Sequence, residues 1–134
     1  MDISSIKPSE RIIEIEHPAT TGQPLGVRVT VVSLDDDRLK RTKRNITDES
    51  LKLQAKGKSF KAEELERNSK ALLFGATTGW EWYSLTGDKK DQATFNGEVP
   101  EYNQKNFYAV VDALPWFGEQ LREALEDSKG FFDN

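Results

Sequence analysis

The stretch Ala71-Leu-Leu-Phe-Gly-Ala-Thr-Thr-Gly-Trp-Glu-Trp82 is the most apolar run in a chain that is otherwise polar and charge-rich. Leu65, Leu72, Ala76 and Trp80 fall at helical spacing, and Leu73 and Phe74 widen that stripe. The spacing predicts a helix over about residues 60–79. Gly79 is expected to close it, because glycine takes the left-handed conformation after a helix end without steric cost. Trp80 and Trp82 then fall on the exit turn. The segment is thus expected to be the central helix of a small core. Its aliphatic side chains need no explanation beyond packing, whereas the tryptophans suit either a core or a protein interface.

Outward from this stretch, a chain of 134 residues suggests one domain, and a domain of this size buries roughly two-thirds of its unfolded surface. It needs no covalent staple, and with no cysteine it has none. One histidine and no cysteine exclude an ordinary structural zinc site. The first ten residues lack the basic and apolar regions of a signal peptide, and no apolar run approaches the ~20 residues that span a membrane. A soluble, cytoplasmic protein without membrane contact or cofactor is expected. The net charge of −4 hides an asymmetry. Residues 35–58 carry eight basic and five acidic side chains, and residues 91–134 carry three and nine. The two regions could pair with each other or between copies, or both could be solvated helix faces.

Residues 1–10, with Pro8 and three serines, read as a flexible arm, and residues 11–134 as a single domain. Ile13, Ile15 and His17 alternate with Glu14 and Glu16, as do Val27, Val29 and Val31 with Arg28 and Thr30. A hairpin over 11–33 is predicted, its apolar face covered by helices or by another chain's sheet edge. Ser33 to Asp37 supplies N-cap types and negative charge for a helix over about 35–57. Its buried stripe would be Leu39, Thr42, Ile46 and Leu53, with Asp36–Lys40 and Asp37–Arg41 as i, i+4 ion pairs. Ser59 is a plausible N-cap for the next helix. After Trp82 comes a long polar connection with turn signals at Thr86-Gly87-Asp88, Asn96-Gly97 and Val99-Pro100. Without structure of its own, it would be a mobile loop or a binding segment. Asn103 caps a helix over 104–114, and Pro115 can open the last one, over 115–128. Phe131 and Phe132 would dock on the body or on a partner. The fold class is α+β, mostly helical: an N-terminal β-hairpin followed by about four helices in a small bundle.

No pattern of reactive groups emerges. Gly57-Lys58-Ser59 resembles the end of a phosphate-binding loop, but position 52 is Lys rather than Gly and a helix precedes it. Nucleophile triads have almost nothing to draw on. His17 sits beside a proline in a strand, where a structural role is expected. Asp88 and Asp91 lack the alternating ligands of a calcium loop. The chain is therefore expected not to be an enzyme. Arg38, Lys40, Arg41, Lys43 and Arg44 put five basic residues in seven on one helix, enough for a phosphate-contacting face. The acidic flank at 35–37 and the negative net charge argue against nucleic acid and for a solvated or protein-contacting surface.

The helix ending in Leu72-Leu73 to Gly79-Trp80, the loop with Phe95-Asn96-Gly97, and Ala113-Leu114-Pro115-Trp116 occur in that order. Together they resemble the tail assembly chaperones of long-tailed bacteriophages, the group that includes the lambda G protein. The resemblance covers roughly residues 10–132 and is strongest over 71–121. It implies a non-enzymatic factor that keeps the aggregation-prone tape measure protein soluble and brings major tail tube subunits to it. Such a factor acts in the cytoplasm of the infected bacterium and is absent from the mature virion. Self-association is expected from the open hairpin edge and the segregated charges. The resemblance also implies that this chain is the shorter product of a gene with a programmed frameshift. The partner-binding side chains would be Trp80, Trp82, Trp116, Phe117, Phe131 and Phe132, beside a mobile loop over 85–101. The alternative is a nucleic-acid-binding regulator that uses the basic helix 38–44.

Overall fold

The computed structural model describes every residue except Met1, Lys7, residues 58–61, Asp133 and Asn134; the expected N-cap Ser59 lies outside the described residues. Two strands, β1 (Arg11–Glu16) and β2 (Pro24–Val31), form the expected antiparallel hairpin. Helix α1 (Lys40–Ala55) is followed by α2 (Ala62–Gly75), and α3 (Gln104–Ala113) by α4 (Pro115–Glu126). The chain is α+β and mostly helical, as predicted. Between α2 and α3, however, a third strand, β3 (Thr77–Trp82), pairs antiparallel with β2, giving the order β1-β2-β3.

That strand corrects the reading of residues 60–79 as one helix. Helix α2 stops at Gly75, where the Val32 N–H donates to the Ala76 carbonyl at 2.7 Å and draws the chain into the sheet. The Thr77 hydroxyl donates to the Leu73 carbonyl at 2.7 Å, satisfying one of the acceptors that a helix end leaves open. Gly79 therefore caps nothing; it lies within β3 opposite Thr30. Trp80 and Trp82 are strand residues opposite Val29 and Val27 rather than residues of an exit turn. The pairing slips between Thr30 and Val31, so that Thr78 is an extra residue in β3. This bulge allows Thr77 and the two tryptophans to share a face although an odd number of positions separates them. Leu65, predicted on the buried stripe, is 57% exposed.

One layer of core is the inner face of the sheet, with Ile15, Val27, Val29 and Val31. The other is helical, with Leu73, Phe107, Val110, Phe117, Leu121 and Leu125. Gly75 lets α1 approach α2 closely, since a Cβ there would lie 3.0 Å from the Thr42 hydroxyl and 3.1 Å from Leu39. Local signals act as their chemistry predicts. The Asn106 N–H donates to Asn103 Oδ1 at 2.8 Å, Pro115 opens α4, and Gly57 follows α1 with φ +70°. Asn96 and Gly97, at φ 53° and 84°, make a tight turn across which Phe95 and Glu98 exchange backbone hydrogen bonds.

The entry to α1 differs from expectation. Asp37–Leu39 is a short 3₁₀ turn, so the α-helix starts at Lys40. With three residues per turn, Asp37 lies over Lys40, and they pair at 3.1 Å in place of Asp37 with Arg41. Asp36 pairs with Arg38 rather than Lys40, and this guanidinium hydrogen bond holds its carboxyl below the ordinary value.

At Glu16, the last residue of β1, a side chain takes up the strand's backbone groups. Gln120 Nε2 donates to the Glu16 carbonyl and Gln120 Oε1 accepts from the Glu16 N–H, each at 2.8 Å. One amide thus makes the two bonds that a further strand would offer there.

Candidate functional site

Trp80 is held within an aromatic cluster. Its ring stacks on Phe107 at 6.0 Å and meets Tyr102 and Trp82 edge-on at 5.4 and 5.6 Å. Its Nε1 donates to the Pro100 carbonyl at 3.0 Å, so this indole both packs and is satisfied. Tyr102 anchors the cluster to β3 through a 2.9 Å bond from its hydroxyl to the Thr77 carbonyl. Burial pushes the Tyr102 phenol from 10.0 up to about 12. The folded state therefore favours the neutral ring. That stability is complete below pH 10 and is lost as pH rises through 12. Because the ring is partly exposed and screened, we expect a loss of about 1–2 kcal/mol over that interval. Urea unfolding at successive pH values checks it, and Tyr102→Phe should flatten that part of the profile.

Two positions along β3 the situation reverses. Trp82 Nε1 is buried and has no hydrogen-bond partner, the one such side-chain nitrogen or oxygen among the described residues. An unmet buried donor costs about 1–3 kcal/mol. Trp82 also lines a cavity of about 300 Å³. Ile15, Leu25 and Val27 form its sheet wall, and Leu114, Trp116 and Phe117 form the opposite wall where α3 turns into α4. Ala93 and Thr94 close one side. No charged residue lines it. The helical wall exists because Pro115 starts α4 directly after α3, with the Phe117 N–H donating to the Leu114 carbonyl at 2.9 Å.

The connection that carries Ala93 and Thr94 is built, contrary to the expectation of a segment without structure. Lys89–Asp91 forms a 3₁₀ turn, and bridges join Ser84 to Gln92 and Phe95 to Glu98. The Ala93 N–H donates to the Tyr83 carbonyl at 3.2 Å, while the Tyr83 N–H donates to Gly26 at 2.8 Å. The side wall of the cavity is thereby tied to both β2 and the end of β3.

Of the six aromatics singled out in the sequence, Trp82, Trp116 and Phe117 meet at this cavity, and Trp80 adjoins it through Trp82 and Phe117. Phe117 is 1% exposed and is a core wall rather than an open contact surface. Phe131 is wholly buried, and its carbonyl accepts from the Ser9 N–H and hydroxyl. It docks on the body; Phe132 stays 45% exposed. Leu25, Ala93 and Leu114 were not foreseen as site residues. They are ordinary apolar residues in sequence, with no local mark of a shared cavity.

The basic segment forms no single free face. Arg38 bonds Asp36 and Glu10, each at 3.0 Å, Lys40 pairs with Asp37, and Lys43 donates to the Leu34 carbonyl. Arg41 and Arg44 make no ion pair among the described residues. A more open cleft of about 640 Å³ lies between α1 and α2, and groups of both signs line it, including Glu49 and Arg67. Among the described residues no group of three or more His, Cys, Asp or Glu is arranged to hold a metal ion, and no helix is long and apolar enough to cross a membrane. No family model, curated protein or solved structure matches this chain.

Proposed function

We propose that this chain is a non-catalytic assembly factor, a tail assembly chaperone that holds a tape measure protein and recruits tail tube subunits to it. The observation that carries the reading is the uncharged cavity at Trp82 and Trp116, a concave apolar site of the kind that receives apolar parts of a partner. Six of its lining residues, from Trp82 to Phe117, fall within the region, 71–121, whose sequence resembles such chaperones. The action would take place in the host cytoplasm during tail building, with several copies along one client and none retained in the virion. The alternative, a regulator that grips nucleic acid through the basic helix, has weaker support, since Arg38, Lys40 and Lys43 already engage acceptors of this chain.

Co-expression with a tape measure protein tests the proposal. The chain should raise the client's soluble fraction and co-purify with it. Thr94 is exposed at the cavity's side, so Thr94→Glu should leave the melting temperature nearly unchanged while cutting client recovery several-fold. Equal recovery with and without the chain would overturn the reading, as would tight, steeply salt-dependent DNA binding by a chain that ignores the client.

A further inference from the structure

We propose that the free edge of β3 takes an extended segment of another polypeptide as a fourth strand. That segment carries Lys or Arg opposite Glu81 and an aromatic residue opposite Gly79. The inference goes beyond the chaperone reading, since it concerns a backbone edge rather than the cavity and does not depend on which protein supplies the strand.

Alternation within the sheet fixes which backbone groups are free. The Tyr83 N–H donates to the Gly26 carbonyl, so the main-chain groups of Tyr83 face β2. Glu81 and Gly79, opposite Arg28 and Thr30, turn theirs the same way. Trp80 and Trp82 therefore direct their N–H and C=O groups away from β2. Among the described residues no hydrogen bond reaches any of these four groups. An extended backbone supplies the alternating donors and acceptors that they lack. At the opposite edge of the sheet, Gln120 already occupies the Glu16 groups, and the Phe131 carbonyl takes the Ser9 N–H just before β1.

The outer face of the sheet states which side chains the added strand bears. Glu14, Arg28 and Glu81 are cross-strand neighbours in one row, in the order acid, base, acid. Arg28 pairs with Glu14 at 3.0 Å, whereas Glu81 is exposed and makes no ion pair among the described residues. The next place in that row calls for a base. A second copy's β3, laid antiparallel along all four free groups, would set Glu81 against its own equivalent. Like charges directly opposite repel, so the edge selects a different segment. The neighbouring row is Ile12, Thr30 and Gly79. Ile12 is 65% exposed, and no atom lies within 4 Å of a Cβ built on Gly79. A depression of about 360 Å³ opens there, lined from Ile12 across to Trp80. A ring on the added strand covers the strand glycine that no side chain shields.

Titration of the full chain with the capped peptide Val-Lys-Val-Tyr-Val, followed in ¹H–¹⁵N spectra, tests this. Antiparallel to β3, its central valine meets Trp80, its lysine Glu81 and its tyrosine Gly79. Binding should be saturable, move the Trp80 and Trp82 amide signals downfield and slow their hydrogen exchange. Glu in place of the lysine should weaken binding about five-fold, and Ala in place of the tyrosine about three-fold. N-methylation of the central valine removes the N–H that the Trp80 carbonyl accepts, and should abolish the protection. Glu81→Lys, at an exposed position, should reverse the order of the Lys and Glu peptides.

No protection of these two amides by any peptide would overturn the site. Undiminished binding of the N-methylated peptide would overturn strand pairing. Lys and Glu peptides that bind alike would overturn the role of Glu81, and an Ala peptide as tight as the Tyr peptide would remove the ring over Gly79. Protection that rises with protein concentration and needs no peptide would give the edge to a second copy and overturn the proposed partner.

Discussion

Phe131→Ala is expected to destabilise the domain by about 3–5 kcal/mol, while Phe132→Ala changes it by less than about 1 kcal/mol. The two rings are adjacent in a chain that ends at residue 134, yet one is 0% and the other 45% exposed. Truncating Phe131 removes a ring that packs among core residues and leaves a cavity in its place. Its carbonyl, which accepts from the Ser9 N–H at 2.8 Å and the Ser9 hydroxyl at 2.9 Å, is untouched by the substitution. The difference between the variants therefore isolates the ring. Against a typical total of about 5–15 kcal/mol, the loss is a large share of folding stability. It should lower the melting temperature by on the order of 10–20 °C. Calorimetry or urea unfolding of both variants measures it. Equal, small effects would mean that the last turn is not part of the core.

A second large effect is expected at Gly26. This residue lies in β2 with φ +93°, and a Cβ built on it would fall 2.5 Å from the Tyr83 carbonyl oxygen and 3.1 Å from the Ala93 Cβ. The carbonyl cannot easily retreat. The Tyr83 N–H donates to Gly26 and the Ala93 N–H donates to that same Tyr83 carbonyl, so moving it strains two bonds. Gly22 makes the comparison, having φ +87° with no atom within 4 Å of a built Cβ. Gly22→Ala should cost about 1–2 kcal/mol for the left-handed backbone alone. Gly26→Ala adds the backbone clash and should cost about 3 kcal/mol or more. Because Gly26 sits where β2, the end of β3 and the Ala93 segment converge, this variant should also disturb the cavity wall. Parallel denaturation of the two variants decides it. A Gly26→Ala protein no less stable than Gly22→Ala would contradict the close approach of these backbones.

The elements that could be read without the structure share a physical feature. The Asn103 cap, Pro115 at the start of α4, the Asn96-Gly97 turn and the positive φ at Gly57 all depend on atoms a few residues apart. The alternation in 11–33 likewise states which face is apolar, and that is enough for a hairpin. Leu39 is buried where periodicity put it, whereas Phe117, read as a partner contact, is part of the core.

Residues 71–82 are where that logic ran out. Leu72, Ala76 and Trp80 keep a helical spacing, while Thr77, Thr78 and the alternation of Trp80, Glu81 and Trp82 suit a strand, so a short apolar run carries both periods. The choice was made by β2, 48 residues away across the Thr78–Thr30 contact, whose unpaired edge takes up the backbone groups of Thr77–Trp82. The bulge at Thr78 further hid the strand, because it breaks the regular alternation on which such readings depend. The cavity was hidden for the same reason. Its walls come from β1, β2, β3, the Ala93 segment and the turn between α3 and α4, and no spacing rule links Leu25 to Leu114. Composition and local pattern state which residues avoid water and where the chain turns. Which apolar faces meet, and where a donor such as Trp82 Nε1 is left without an acceptor, follows from long-range packing that no window of sequence contains.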